Sequence, residues 1–267
     1  MHRRLPIYIL LDCSESMAGK PWNSVKTGLA QLLTDLQSDP MALEASALSI
    51  ISFANKAQQD VPLTDIYKLT MPQLKMGSGT ALGAALRLWI DSMAKEVKQS
   101  SPTQKGDYKP VMFLLTDGEP TDAWEANADY IRKNILGKKA NIIGVGCGPD
   151  ADMSMLRKLT EITIHMEQQN EVSFRQFFDW VSASVSTASQ AVGSNGDQGI
   201  KLPNLNDGME LVNEPSRKHS SDHHVFLHAR CIQSKKFFLY RFTKPHSTGV
   251  SRNDNSIYEC TECIPIA

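Results

Sequence analysis

Short apolar runs alternate with amphipathic stretches along the first 190 or so of the 267 residues, and that alternation admits few folds. Residues 5–11 read Leu-Pro-Ile-Tyr-Ile-Leu-Leu and stop at Asp12, as expected of a strand buried on both faces of a parallel sheet. Residues 22–36 then place Val25, Leu29, Leu32, Leu33 and Leu36 at helical spacing, with Pro21 suited to the first turn and Asp39-Pro40 ending the helix. Residues 47–53 are predicted as the second strand. Residues 57–63 are a short third one, joined by a turn at Asn55-Lys56 and therefore antiparallel at one edge.

The pattern continues with a helix over 81–97, whose stripe is Leu82, Ala85, Leu86, Trp89, Ile90 and Met93. Strands are predicted at 110–115, 140–145 and 162–166, and helices at 125–136, 153–159 and 174–188. The last helix buries Phe177, Phe178, Val181 and Val185. The expectation is an α/β fold, with a doubly wound, mostly parallel six-stranded sheet and one antiparallel edge strand. Such sheets bind ligands beyond the carboxyl ends of their strands, where the strand order reverses. Chemistry is therefore expected just after Leu11, just after Leu115, and on the loop before residue 81. Residues 191–222 shift to Ser, Asn, Gly, Asp and Pro without periodicity and read as a linker. Residues 223–267 read as a small β-rich appendage, with strands at 224–231 and 236–242.

Charge is nearly balanced, with 28 Lys and Arg against 29 Asp and Glu, so composition gives no case for nucleic acid or an anionic membrane as partner. The apolar run after Arg3-Arg4 superficially resembles a secretory signal. It is short and lacks a small-residue cleavage site, so a buried strand is expected there. Five scattered cysteines, at 13, 147, 231, 260 and 263, suit a reducing, cytoplasmic compartment better than a disulfide scaffold.

Each of the three expected loops carries oxygen ligands. Leu11 is followed by Asp12-Cys13-Ser14-Glu15-Ser16, the loop before residue 81 reads Gly77-Ser78-Gly79-Thr80, and Leu115 runs into Thr116-Asp117-Gly118-Glu119-Pro120-Thr121-Asp122. Carboxylates and hydroxyls are hard ligands. Asp12, Ser14, Ser16, Thr80 and Asp117, with no His or Cys among them, suit Mg²⁺, Mn²⁺ or Ca²⁺. A site of two carboxylates and three neutral hydroxyls would leave the ion under-neutralised in its direct contacts, with affinity left for an acid from outside.

These motifs resemble the metal-ion-dependent adhesion site (MIDAS) of von Willebrand factor type A domains in order, spacing and strand context. The resemblance implies that Ser14, Ser16 and Thr80 contact the metal directly and that Asp12 and Asp117 act largely through bound waters. It further implies that the sixth position accepts a Glu or Asp from a protein ligand. Residues 4–8, 78–86 and 115–122 also resemble the TerY proteins of bacterial tellurium-resistance clusters, a likeness covering about residues 3–190. It implies a non-catalytic interaction module of a stress-response system, associated with a protein kinase and a phosphatase. Some of those relatives carry a cysteine-rich, metal-binding tail. Here the tail has only Cys231, Cys260 and Cys263, which would need a histidine among His219, His223, His224, His228 and His246 to complete a zinc site; the other reading is a degenerate tail with free thiols.

The competing reading is a metal-dependent phosphohydrolase built on Asp12. Such enzymes place a second acid two residues on, where this chain has Ser14, and no lysine is placed by motif to hold a phosphoryl group. Gly144-Val145-Gly146-Cys147-Gly148-Pro149 lacks the full dinucleotide pattern and reads as a tight strand-to-loop turn. Glu15, Glu119 and Asp122 read as peripheral, Cys13 and Cys147 as small packing residues, and His165 as structural. The Ser/Thr-bearing stretches 182–194 and 216–221 read as linker open to phosphorylation.

Overall fold

A computed structural model describes residues 3–190, 202–205 and 208–212, together with the backbone of 191–193, 224–230, 237–243 and 260–265. The strands are β1 (Leu5–Asp12), β2 (Ser46–Phe53), β3 (Ala57–Asp65), β4 (Val111–Thr116), β5 (Asn141–Cys147), β6 (Ile162–Met166) and β7 (Met209–Leu211). The helices are α1 (Lys20–Ser38), α2 (Pro40–Ala45), α3 (Leu82–Glu96), α4 (Glu125–Asn134), α5 (Met153–Leu159) and α6 (Glu171–Gly193).

All of β1 to β7 join one sheet in the order β3-β2-β1-β4-β5-β6-β7. The pairs β1–β2, β1–β4, β4–β5 and β5–β6 are parallel, whereas β3 and β7 close the two edges antiparallel. The sheet thus has seven strands and two antiparallel edges, one more of each than the sequence pattern predicts. The added strand, β7, lies within the stretch read as linker. Its three residues are too few to print a period, and tertiary pairing alone reveals it. Residues 202–205 also pack back, with the indole of Trp180 donating to the Pro203 carbonyl at 3.1 Å.

Alternation along the strands sends side chains to two separate cores. Ile7, Ile9 and Leu11 meet Val25, Leu29 and Leu32 of α1 and Phe177, Phe178 and Val181 of α6. Tyr8 and Leu10 meet Leu86 and Trp89 of α3, Ile131 of α4 and Leu156 of α5. Because both faces of β1 are covered, every one of its residues is buried, and this explains the unbroken apolar run.

Asp39-Pro40 separates two helices rather than simply ending one. The Asp39 carboxylate accepts from the Met41 and Ala42 amides, and Pro40 occupies the first turn of α2. α6 runs beyond the expected 174–188, so residues 182–193 are helix and not linker. Ser184 and Ser189 are buried, their hydroxyls bonded to the Trp180 and Val185 carbonyls. Residues 216–221 lie outside the described ones.

A second unit, residues 214–267, has a three-stranded antiparallel sheet: β8 (His224–Arg230), β9 (Phe237–Thr243) and β10 (Cys260–Pro265), in the order β10-β9-β8. β10 contains Cys260 and Cys263; its backbone pairs with β9, shifting register between Cys260 and Glu262. Cys231, His219, His223 and His246 lie outside the described residues. Among the described residues, no helix is long and apolar enough to cross a membrane.

Candidate metal centre

After β1 the chain pairs first with β2 on one side and, after the α3 crossover, with β4 on the other. The strand order reverses here, and the crevice opens beyond the carboxyl ends of β1 and β4. Leu11 is in register with Leu115, so Asp12 and Thr116 end neighbouring strands side by side. The Thr116 hydroxyl donates to Asp12 Oδ2 at 2.6 Å, and the Ser14 amide donates to Asp12 Oδ1 at 2.9 Å. Asp12 is 1% exposed, and burial pushes its carboxyl above the ordinary value despite those hydrogen bonds.

Beyond Asp12 a single 3₁₀ turn, Glu15–Met17, swings Ser16 back toward the sheet. The Ser14 and Ser16 hydroxyls lie 2.8 Å apart. Both reach Asp117 Oδ1 at the end of β4, at 3.4 Å and 2.8 Å. The other oxygen, Oδ2, accepts from Gln169 Nε2 at 3.2 Å.

The Thr80 loop is held from a third direction. Thr80 N donates to Thr121 Oγ1 at 2.9 Å, and Thr121 N donates to the Thr80 carbonyl at 2.9 Å. Asp122 accepts from the Gly83 and Ala84 amides at 2.8 and 2.9 Å. It thereby serves the open N-terminus of α3, for which Ala81 offers no side-chain cap. Thr80 is buried with its hydroxyl beside Gly118; a Cβ on that glycine would stand 3.4 Å from Thr80 Oγ1.

The structure thus brings Ser14, Ser16 and Asp117 into direct contact and sets Asp12 beside them through Ser14. Thr80 is placed against the residue that follows Asp117. Thr116, Thr121 and Gln169 were given no role by sequence reasoning. Thr116 matters through strand order, which no local pattern reveals, and Gln169 stands in an unremarkable polar run, Glu167-Gln168-Gln169-Asn170. Asp122 joins two of the loops and is not peripheral. Glu15 and Glu119 are exposed beside the site.

Cys13 and Cys147 are buried at strand ends, and burial pushes the Cys13 thiol up to about 12 and the Cys147 thiol well above its ordinary value. Both are therefore thiols and not nucleophiles at neutral pH. His165 Nε2 bonds the Gly148 carbonyl at 2.9 Å, a structural contact.

The donor set suits a hard cation. Among the described residues, no lysine, arginine or histidine forms an ion pair with Asp12 or Asp117. Two nearly buried carboxylates without a countercharge, lined by hydroxyls, match the oxygen ligation of Mg²⁺, Mn²⁺ or Ca²⁺. The described residues contain no cluster of three or more His, Cys, Asp or Glu able to hold a metal, as expected where hydroxyls outnumber acids.

The model of the von Willebrand factor type A domain matches residues 7–192. The chain belongs to this family. Domains of the family commonly act as metal-dependent protein-interaction modules. The uncharacterized protein sll0103 of Synechocystis sp. is 34% identical over 124 residues, covering 44% of this chain and 26% of that one. The von Willebrand factor type A structure from Catenulispora acidiphila superposes with a TM-score of 0.50 at 19% identity, over 70% of this chain and 43% of that one. The pilus adhesin SpaC from Lactobacillus rhamnosus GG, in its open conformation, does so at 0.53 and 12%, over 70% and 30%. At these identities the structures speak to the type A fold alone, and this chain spans less than half the length of each of the three.

Proposed function

We propose that the type A domain holds one divalent cation on Asp12, Ser14, Ser16, Thr80 and Asp117 and uses it to bind an acidic side chain of a protein partner. The observation that carries this reading is the convergence of the Ser14 and Ser16 hydroxyls on one oxygen of Asp117, with the buried carboxylate of Asp12 alongside. Two carboxylates formally balance a divalent cation, but the other three groups are neutral hydroxyls, so a bound ion would keep a coordination position that a Glu or Asp from outside could take. Mg²⁺ fits such a mixed hydroxyl and carboxylate set, with Mn²⁺ and Ca²⁺ as the other candidates. The domain would act by binding and not by turnover.

The finer reading is a module of a bacterial stress-response system of the tellurium-resistance type, working in the cytoplasm with a protein kinase and a phosphatase. It is supported by the sequence resemblance. Zinc on Cys231, Cys260 and Cys263 belongs to the same reading, and metal analysis of the purified chain addresses it.

Calorimetric titration with Mg²⁺ and Mn²⁺, followed by pull-down with and without chelator, tests the proposal. The expected outcome is one site per chain, partner capture lost in EDTA, and loss of both in Asp12→Ala and Thr80→Ala with the fold kept. Undiminished capture in excess EDTA would overturn it. Mg²⁺-dependent phosphate release abolished by Asp12→Asn would favour the phosphohydrolase reading.

A further inference from the structure

Gln169 sits between β6 and α6, outside every motif, yet its side chain reaches the centre. Its Nε2 donates to Asp117 Oδ2 at 3.2 Å and to the Cys147 carbonyl, at the end of β5, at 3.0 Å. Both partners are acceptors, which fixes the amide with its NH₂ group inward. Gly148 makes room for it. A Cβ on that glycine would lie 2.8 Å from Gln169 Nε2, and its φ of +86° disfavours any side chain. The strand-to-loop turn at 148 therefore cradles the amide that faces Asp117.

The two oxygens of Asp117 are consequently unlike. Oδ1 faces the Ser14 and Ser16 hydroxyls, while Oδ2 is turned toward the amide of Gln169. Where a cation takes the place of the two hydroxyl hydrogens at Oδ1, Oδ2 stays held by the Gln169 amide, and the carboxylate offers the ion a single point of attachment. Mg²⁺ and Mn²⁺ are satisfied by six ligands in near-octahedral geometry, whereas Ca²⁺ takes six to eight oxygens and readily accepts both from one carboxylate.

We propose that Gln169 is a positioning residue that sets metal choice, holding Asp117 as a one-oxygen group and so favouring the smaller six-coordinate cations over Ca²⁺. This rests on the proposed divalent-cation site, with Asp117 bonding the ion directly and not through a water. A partner that orients a metal-site carboxylate typically changes affinity by about 10- to 100-fold when removed. Here its removal acts unequally on different ions, because only the larger ion gains from the freed oxygen.

The test is calorimetric titration of the full chain with Mg²⁺, Mn²⁺ and Ca²⁺ separately, for wild type and for Gln169→Met, which keeps the length and removes the donor. Metal-free unfolding temperature serves as the fold control. The expected result is a shift of the Mg²⁺-to-Ca²⁺ affinity ratio toward Ca²⁺ by about tenfold. Gln169→Leu, a second neutral side chain that cannot donate to either acceptor, covers the case in which the methionine variant fails to fold, and the same direction is expected of it. Equal weakening for all three ions, or none, in a folded variant would overturn the assignment and leave a packing role. Absence of binding by wild type to any of the ions would instead remove the site itself.

Discussion

Thr116 and Asp12, 104 positions apart, end two neighbouring parallel strands with hydroxyl and carboxylate 2.6 Å apart. The bond ties the two loops that carry most of the oxygen ligands and satisfies one oxygen of a carboxylate that water barely reaches. Thr116→Val keeps the shape and removes the donor. Leaving a buried carboxylate oxygen without its partner costs about 1–3 kcal/mol. Denaturant unfolding of the metal-free variant should show that loss, and titration with Mn²⁺ should show affinity lower by about tenfold.

Asp12 and Asp117 lie close enough to repel, and among the described residues neither forms an ion pair with a cationic side chain, so a bound ion should stabilise the folded domain. At a free concentration about 100 times the dissociation constant, linkage contributes about 2.7 kcal/mol. Thermal unfolding in Mg²⁺ should occur several degrees higher than in EDTA. The difference should vanish in Asp12→Ala. Equal melting of wild type with and without the ion, across a wide range of Mg²⁺, would count against the site.

At the other end of β1, the Arg4 guanidinium bonds Asp107 at 2.8 Å, and the Arg4 and Lys98 amides donate to the same carboxylate at 3.2 and 3.0 Å. Burial opposes the charge on Asp107, but these partners outweigh it and hold its carboxyl below the ordinary 3.8. Its contribution to stability is thus fully present above that value and is lost as pH falls through the lower, folded-state value. Asp107→Ala should cost about 1–3 kcal/mol by removing the acceptor for two backbone amides and for one edge of the Arg4 guanidinium, which keeps the Glu96 carbonyl and Asp65 as partners. A urea series from pH 7 to pH 2 should show the variant losing less stability on acidification than wild type. Metal affinity at neutral pH should be unchanged.

Gly28 lies where α1 crosses α6, and a Cβ there would stand 2.3 Å from the ring of Phe178. Phe178 is itself buried and packed edge-on against Phe177, so it has little freedom to yield. Gly28→Ala gains about 1 kcal/mol of helix propensity, while overpacking costs about 1–3 kcal/mol. A net loss of about 1 kcal/mol is expected, and thermal denaturation measures it. Gly28→Leu should lose considerably more.

Much of this was legible in the chain. The buried run 5–11 announced a strand covered on both faces, because only such a strand gains from being apolar at every position. Carboxylates and hydroxyls grouped just past the predicted strand ends announced hard-cation chemistry, because a sheet of this kind gathers its strand ends at one crevice.

The tertiary structure alone decided what supports those groups. Thr116 serves Asp12 only because β4 lies next to β1, and strand order is a long-range property with no local pattern. Asp122 reaches the start of α3 across 39 residues, Gln169 reaches Asp117 across 52, and β7 exists only because β6 offers it an edge. Local periodicity reports which face a residue turns to the core. Which distant partner it meets there is set by how the layers pack.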